Sequence, residues 1–315
     1  MIALDEIRAA AGRLAGKVHR TPLSAAGLIG ERAGVRLRLK CESFQKTGSF
    51  KARGALNKVL SLSAEERARG LITVSAGNHA AAVAWAARVA GASAVVVMPT
   101  AAPRSKIDAV RGYGAEIVLH PDRATLFDRL HAEQGARGLT FVHPFDDPVV
   151  LAGAGTAGLE IVEDAGELDA VVVPVGGGGL LGGIASAVRQ LSPRVRIVAV
   201  ELAAGPGLAP ALAAGKPVPV TRPDTLADGM TPPFVGALPL GIAHEAVDEI
   251  VGVTEDEIRE GMRLLLTRAK LYVEGAGAAA VGALVARKCG LSADARVVAL
   301  VSGGNIDLEK LAALG

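Results

Sequence analysis

Three loops and one lysine hold residue types whose spacing could do chemistry. The run Val171-Val-Val-Pro-Val-Gly-Gly-Gly-Gly-Leu-Leu-Gly-Gly carries a β-branched stretch into Gly176, Gly177, Gly178 and Gly179, and a helix-forming stretch begins at Leu180. Consecutive glycines let backbone N–H groups turn toward one point, and a helix start adds positive potential there. The loop therefore reads as an anion cradle, with phosphate the first candidate. The same loop spells GxGxxG in Gly177, Gly179 and Gly182, and Glu201 ends the next strand as a ribose-binding acid would. Alone, that pattern admits a dinucleotide site, although it lies mid-chain and no residues for hydride chemistry accompany it. A second loop, Ser75-Ala76-Gly77-Asn78-His79, again opens N–H groups at a helix start and could grip a second anion such as a substrate carboxylate. His79 could act as a general base, but a capping or packing histidine is the commoner case. The third loop, Val301-Ser302-Gly303-Gly304-Asn305, offers a hydroxyl and room for a flat ligand, yet in isolation it is an ordinary turn. Lys51 follows Phe50 and the small residues Gly48 and Ser49. A lysine in an apolar setting loses proton affinity and becomes a nucleophile toward aldehydes, whereas Lys46 and Lys58 read as solvated charges.

The elements that must position these groups alternate along the chain. Strands are predicted at 35–40, 71–74, 94–98, 116–120, 170–175, 196–201, 249–253 and 296–301, with helical stretches such as 79–90, 105–113, 180–191 and 255–269 between them. Such alternation specifies an α/β protein with parallel sheets covered by helices on both faces. The glycine-rich loops are unevenly spaced, which favours two open-sheet lobes over one barrel. We place a large lobe at 1–63 and 147–315 and a smaller, mobile lobe at 64–146. The proline-rich segment 203–239 is the one long irregular stretch, of the kind that is usually functional or mobile.

Composition narrows the classes further. Half of the 315 residues are apolar and 21% are charged, as in globular proteins. The 34 basic and 32 acidic residues are interspersed, leaving no footprint for nucleic acid or an acidic membrane. Cys41 and Cys289 form neither a disulfide framework nor a CxxC zinc pair. No apolar core of a signal peptide is visible in MIALDEIRAAAGRL, so a cytoplasmic, reducing compartment is expected. Ala80 to Pro99 imitates a membrane span with Arg88 as its single charge, but Gly91 splits it into a small-residue helix and a buried strand.

Taken in order, His19-Arg-Thr-Pro-Leu, KTGSFKARGA, SAGNHA, HPFDD, the glycine loop, TLADG and SGGN resemble the serine/threonine dehydratase group of the fold-type II pyridoxal phosphate (PLP) enzymes. The resemblance runs nearly end to end and implies a tryptophan synthase β-like fold. It implies that Lys51 binds the PLP aldehyde, that Phe50 packs on its ring and that Asn78 meets its 3-hydroxyl. Gly176 to Gly179, with Leu180, would take the phosphate, Ser302 would face the pyridine nitrogen, and Glu274 would lie near the cofactor edge. Ser75, Ala76, Gly77, Asn78 and His79 would hold the carboxylate of a small hydroxy-amino acid. The implied reaction is removal of water and ammonia from L-threonine or L-serine, with 3-hydroxyaspartate or phenylserine as alternatives, by a homodimer or homotetramer. A regulatory ACT-type domain and isoleucine feedback are not expected.

The chain also departs from its relatives. Serine racemases of this fold carry a second serine where Ala76 stands, and alanine moves no proton, so racemisation should be minor. Glu201 and the Gly205 carbonyl could begin a weak divalent-cation site, but Gly207 occupies the place expected for an aspartate. Gly275 replaces a more usual proline and Ala154 a glutamine, both open to altering substrate preference.

Overall fold

The computed structural model describes residues 1–312 and 314. Its strands are β1 (Leu23–Ala25), β2 (Arg36–Cys41), β3 (Leu71–Val74), β4 (Ala94–Pro99), β5 (Glu116–His120), β6 (Thr140–Phe141), β7 (Ala170–Pro174), β8 (Arg196–Leu202), β9 (Glu249–Val253) and β10 (Arg296–Val301). They form a 6-stranded sheet ordered β1-β2-β10-β7-β8-β9 and a 4-stranded sheet ordered β5-β4-β3-β6. Among the paired strands of the described residues, only β1 and β2 run antiparallel. Two parallel-sheet α/β lobes result.

Continuous apolar runs form the central strands because helices cover both faces. In the large sheet, Val172, Val198 and Val200 join one core, while Val171, Val173, Ile197 and Ala199 join another on the opposite face. The small sheet divides likewise, Ile72, Val95 and Val97 pointing one way and Val96 with Met98 the other. Parallel strands end together, so the glycine loop after β7, Ser302 after β10 and the Ser75–His79 loop after β3 all lie at carboxyl ends of strands, where open α/β sheets bind ligands.

Helix Lys51–Ser61 joins the lobes. Ala55, Leu56 and Val59 pack with Leu71, Ala82 and Val83 beneath the small sheet. On its other side the helix crosses Pro148–Ala165 closely through glycines. A Cβ at Gly54 would stand 2.8 Å from the Val150 carbonyl oxygen, and one at Gly153 would stand 2.6 Å from that of Arg53.

The predicted strands are all present. Edge strands β1 and β6 were not expected; at 3 and 2 residues they are too short to show an alternating pattern. The proline-rich segment is more ordered than predicted, containing helix Leu208–Ala214 and the start of helix Ala237–Ala246. The helix predicted over 255–269 is α-helical only to Leu264 and widens to a π-turn at Leu265–Ala269. Among the described residues no helix is long and apolar enough to cross a membrane. Gly91, at φ +65°, divides the Ala80–Pro99 run into helix Asn78–Ala90 and strand β4.

Candidate active site

Lys51 opens its helix, and the anchoring of that helix begins two residues later. Arg53 is fully buried and forks onto Glu42 through Nε and Nη2, both at 2.8 Å, while Nη1 reaches Glu160 at 2.6 Å. Lys40 Nζ donates to the same Glu160 at 2.6 Å and to the Thr21 carbonyl at 2.8 Å. Burial alone would raise the Glu42 carboxyl, but the charge and hydrogen bonds of Arg53 outweigh it and hold the group below its ordinary value. The first turn of the helix is thus tied to the end of β2 and to helix Pro148–Ala165 by fixed, bidentate geometry.

The Lys51 amine points inward. Its Nζ donates to the Pro144 carbonyl at 2.7 Å and lies 5.1 Å from the Phe50 ring centroid. Burial disfavours the ammonium form and lowers its pKa to about 8. Pro144 connects the amine to the glycine cradle, because the next residue, Phe145, packs its ring on Gly177 and its backbone on Gly179. A side chain on Gly177 would overlap that ring. Gly178 holds φ +91°, and a Cβ there would lie 2.5 Å from Pro239. The cradle therefore requires glycines, and its N–H groups stand at the start of helix Gly179–Leu191, where they have no intrahelical acceptor. The Leu180 side chain lies in the large-lobe core, which leaves only its backbone for the loop.

Across the seam between lobes, Asn78 Nδ2 donates to Glu274 Oε1 at 2.7 Å, and Asn305 Nδ2 donates to Asn78 Oδ1 at 2.8 Å. Burial, reinforced by the charge of Asp228, raises the Glu274 carboxyl to about 7. Gly303 fits between these groups; a Cβ there would stand 2.5 Å from Glu274 Oε1 and 3.1 Å from Ser49 Cβ. The Ser302 hydroxyl donates to the Ala276 carbonyl at 3.2 Å, and its own carbonyl accepts from the Phe50 N–H at 3.1 Å. Phe50 and Lys51 are thereby joined to the Ser302 loop, and Asn78 to Glu274.

Other predicted residues stand apart. Ser75 Oγ accepts from the Gly77 N–H at 3.1 Å within its own loop, and Ala76 packs on the small-lobe core. His79 is buried with Nε2 3.1 Å from the Val142 carbonyl, and burial together with the charge of Lys51 pushes its pKa well below the ordinary value. It is a neutral, packed histidine. Glu201 has another task. Oε2 accepts from the N–H groups of Gly207 and Leu208 at 2.8 and 2.7 Å, and Oε1 from Ala209 at 3.3 Å, which caps helix Leu208–Ala214. Each oxygen accepts from backbone donors, so the carboxylate has a structural task of its own at the start of that helix. Among the described residues no group of three or more His, Cys, Asp or Glu side chains could hold a metal ion.

Several positioning residues escaped the sequence reading. Asp147 caps helix Pro148–Ala165 through the N–H groups of Val149 and Val150, and Asp146 accepts from Ala237 and Leu238 at the start of helix Ala237–Ala246. An acid directly before proline and an apolar run is a helix-start signal, so Asp147 was legible. Asn305, whose partners are distant in sequence, gave none.

A buried amine of lowered pKa beside an anion cradle is the donor set that a phosphorylated aldehyde requires, and these residues fit one. The profile of the pyridoxal-phosphate dependent enzyme family matches residues 14–303. The chain belongs to that family. This PLP-dependent enzyme is 43% identical over 316 residues to the L-threonine ammonia-lyase of Thermotoga maritima, an alignment covering 99% of this chain and 77% of the relative. A crystal structure of T.th. threonine deaminase superposes with a TM-score of 0.90 at 43% identity, covering 97% of this chain and 99% of that one. The structure of maize serine racemase gives a TM-score of 0.94 at 35% identity, covering 99% and 97%. The family match replaces the dinucleotide reading of Gly177, Gly179 and Gly182.

Proposed function

We propose that this PLP-dependent enzyme removes water and then ammonia from L-threonine and L-serine, yielding a 2-oxo acid. What carries the reading is the buried Lys51 amine, linked through Pro144 and Phe145 to the glycine cradle and through Phe50 to the Ser302 loop, in a chain so similar to an L-threonine ammonia-lyase. When bound, PLP supplies an electron sink for the bonds at the substrate Cα. Lys51 would hold its aldehyde, Gly176 to Gly179 and the Leu180 backbone its phosphate, Phe50 its ring and Asn78 its 3-hydroxyl. Glu274 would border it, and Ser302 would meet its pyridine nitrogen.

The chain's own residues then divide the work. The Ser75–His79 loop, at the start of helix Asn78–Ala90, holds the substrate carboxylate through the N–H groups that the helix start leaves without an acceptor. Once the substrate amine has displaced it, Lys51 is a free amine whose pKa of about 8 leaves an appreciable neutral fraction near neutral pH, and it takes the Cα proton at Nζ. Ser302 is a neutral partner that does not keep a ring nitrogen protonated, which favours prompt loss of the β-hydroxyl over transamination. The lobe of residues 64–146 closes over that of 1–63 and 147–315 and excludes water. The enzyme works in the cytoplasm as a homodimer or homotetramer.

Likeness to maize serine racemase keeps racemisation in view, but Ala76 has no proton to give on the face opposite Lys51. A coupled 2-oxo acid assay over L-threonine, L-serine, phenylserine and 3-hydroxyaspartate decides the matter. L-threonine or L-serine should give the highest kcat/KM, with little D-serine formed. Faster racemisation than deamination of L-serine would overturn the reading.

A further inference from the structure

The Ser75–His79 loop has no lysine or arginine, and its histidine is buried against the Val142 carbonyl at 3.1 Å, so a carboxylate bound there rests within the loop on neutral donors. A charged side chain from another element of the same lobe comes close to Gly77. Lys106, in the first turn of helix Arg104–Gly112, brings Nζ to 4.0 Å from where a Cβ on Gly77 would stand. The same Nζ crosses to the large lobe and pairs with Asp228 Oδ2 at 2.6 Å. One residue earlier, Ser105 Oγ donates to Asp307 Oδ1 at 2.7 Å. A narrow crevice between the lobes is lined by Lys106, Asp228, Glu274, Asn305 and Asp307, which places these contacts beside the buried Asn78–Glu274 hydrogen bond. None of this was read from the sequence.

We infer that the Lys106–Asp228 ion pair is a positioning device that fixes the Gly77 loop when the small lobe closes, and so sets substrate affinity rather than the rate of the chemical step. The chemistry of the pair suits a reversible device. Lys106 keeps 21% and Asp228 48% of its side-chain surface exposed. Exposed pairs are individually weak, so the closed state gains only several-fold over the open one from this contact. Asp307 and Asp228 also lie near the positive end of helix Arg104–Gly112, which favours the same docking. A fully buried pair would lock the seam.

The inference rests on the proposed lyase reading, and the test separates the two. In cofactor-loaded protein, Lys106→Met and Asp228→Asn should each raise KM for L-threonine by about three- to tenfold, with kcat changed less than twofold. The double variant should be no worse than the weaker single, because one contact is lost in all three, and Lys106→Arg should keep KM near that of the parent. Hydrogen exchange supplies a readout independent of turnover: peptides covering 75–79 and 104–112 should exchange faster in Lys106→Met and Asp228→Asn alike. Additive KM effects, a fall in kcat at unchanged KM, or unchanged exchange in these peptides would overturn it. If no hydroxy-amino acid is turned over by the parent, the lyase reading fails, and the exchange data still decide the role of the pair.

Discussion

Burial decides the chemistry of Lys51 and Glu274 in opposite directions. It lowers the lysine to about 8 and raises the carboxyl to about 7, because each environment disfavours the charged form. For Glu274 the sign has a consequence for stability. Native Glu274 retains a proton that the unfolded chain releases near 4.5, so its contribution is present below that pH and is lost as pH rises through about 7. Glu274→Gln keeps an acceptor for Asn78 and buries no charge. Thermal melts of cofactor-free protein should show the variant losing less Tm than the parent between pH 5 and 8; parallel curves would remove the buried proton from the account. The sequence indicated Lys51 only through its company, since one lysine after a phenylalanine is common. Its depth, and its contact with Pro144, come from a helix start set by residues far along the chain.

At the scale of elements, strands were legible and their supports were not. Val171–Val173 and Val297–Val301 announce buried parallel strands by composition alone, and the glycine loop announces a helix start. The Arg53–Glu42–Glu160–Lys40 cluster was hidden, because a charged residue in KTGSFKARGA reads as surface until the fold surrounds it. Glu201 was ambiguous for a related reason: an acid at the end of β8 looks the same whether it meets a ribose, a cation or three backbone N–H groups. The cluster should be costly to break. Arg53→Met leaves Glu42 buried without its cation, and removing one partner of a buried pair costs about 3–5 kcal/mol. Denaturant unfolding should show a loss of that size, together with weaker PLP binding because Lys51 sits two residues away. A loss below about 1 kcal/mol would mean that the helix start is held by packing alone, for instance by the close Gly54–Gly153 crossing.

For the whole molecule, two sheets place three loops at carboxyl strand ends, and the helix Lys51–Ser61 between the lobes delivers one amine to their meeting point. The seam has a buried part, Asn78–Glu274–Asn305, and an exposed part, Lys106–Asp228 and Ser105–Asp307. The alternation of strands and helices pointed to two lobes and the order of motifs to the family, whereas the seam joins residues such as 78 and 274 or 106 and 228, which no local pattern pairs. Every proposed role depends on Lys51 binding the cofactor. Borohydride reduction of PLP-loaded protein, followed by peptide mass mapping, tests it most directly. The phosphopyridoxyl group should be found on Lys51 alone, at about one per chain, and should be missing from Lys51→Ala. Its appearance on Lys46, Lys58 or another lysine, or on none, would contradict the account.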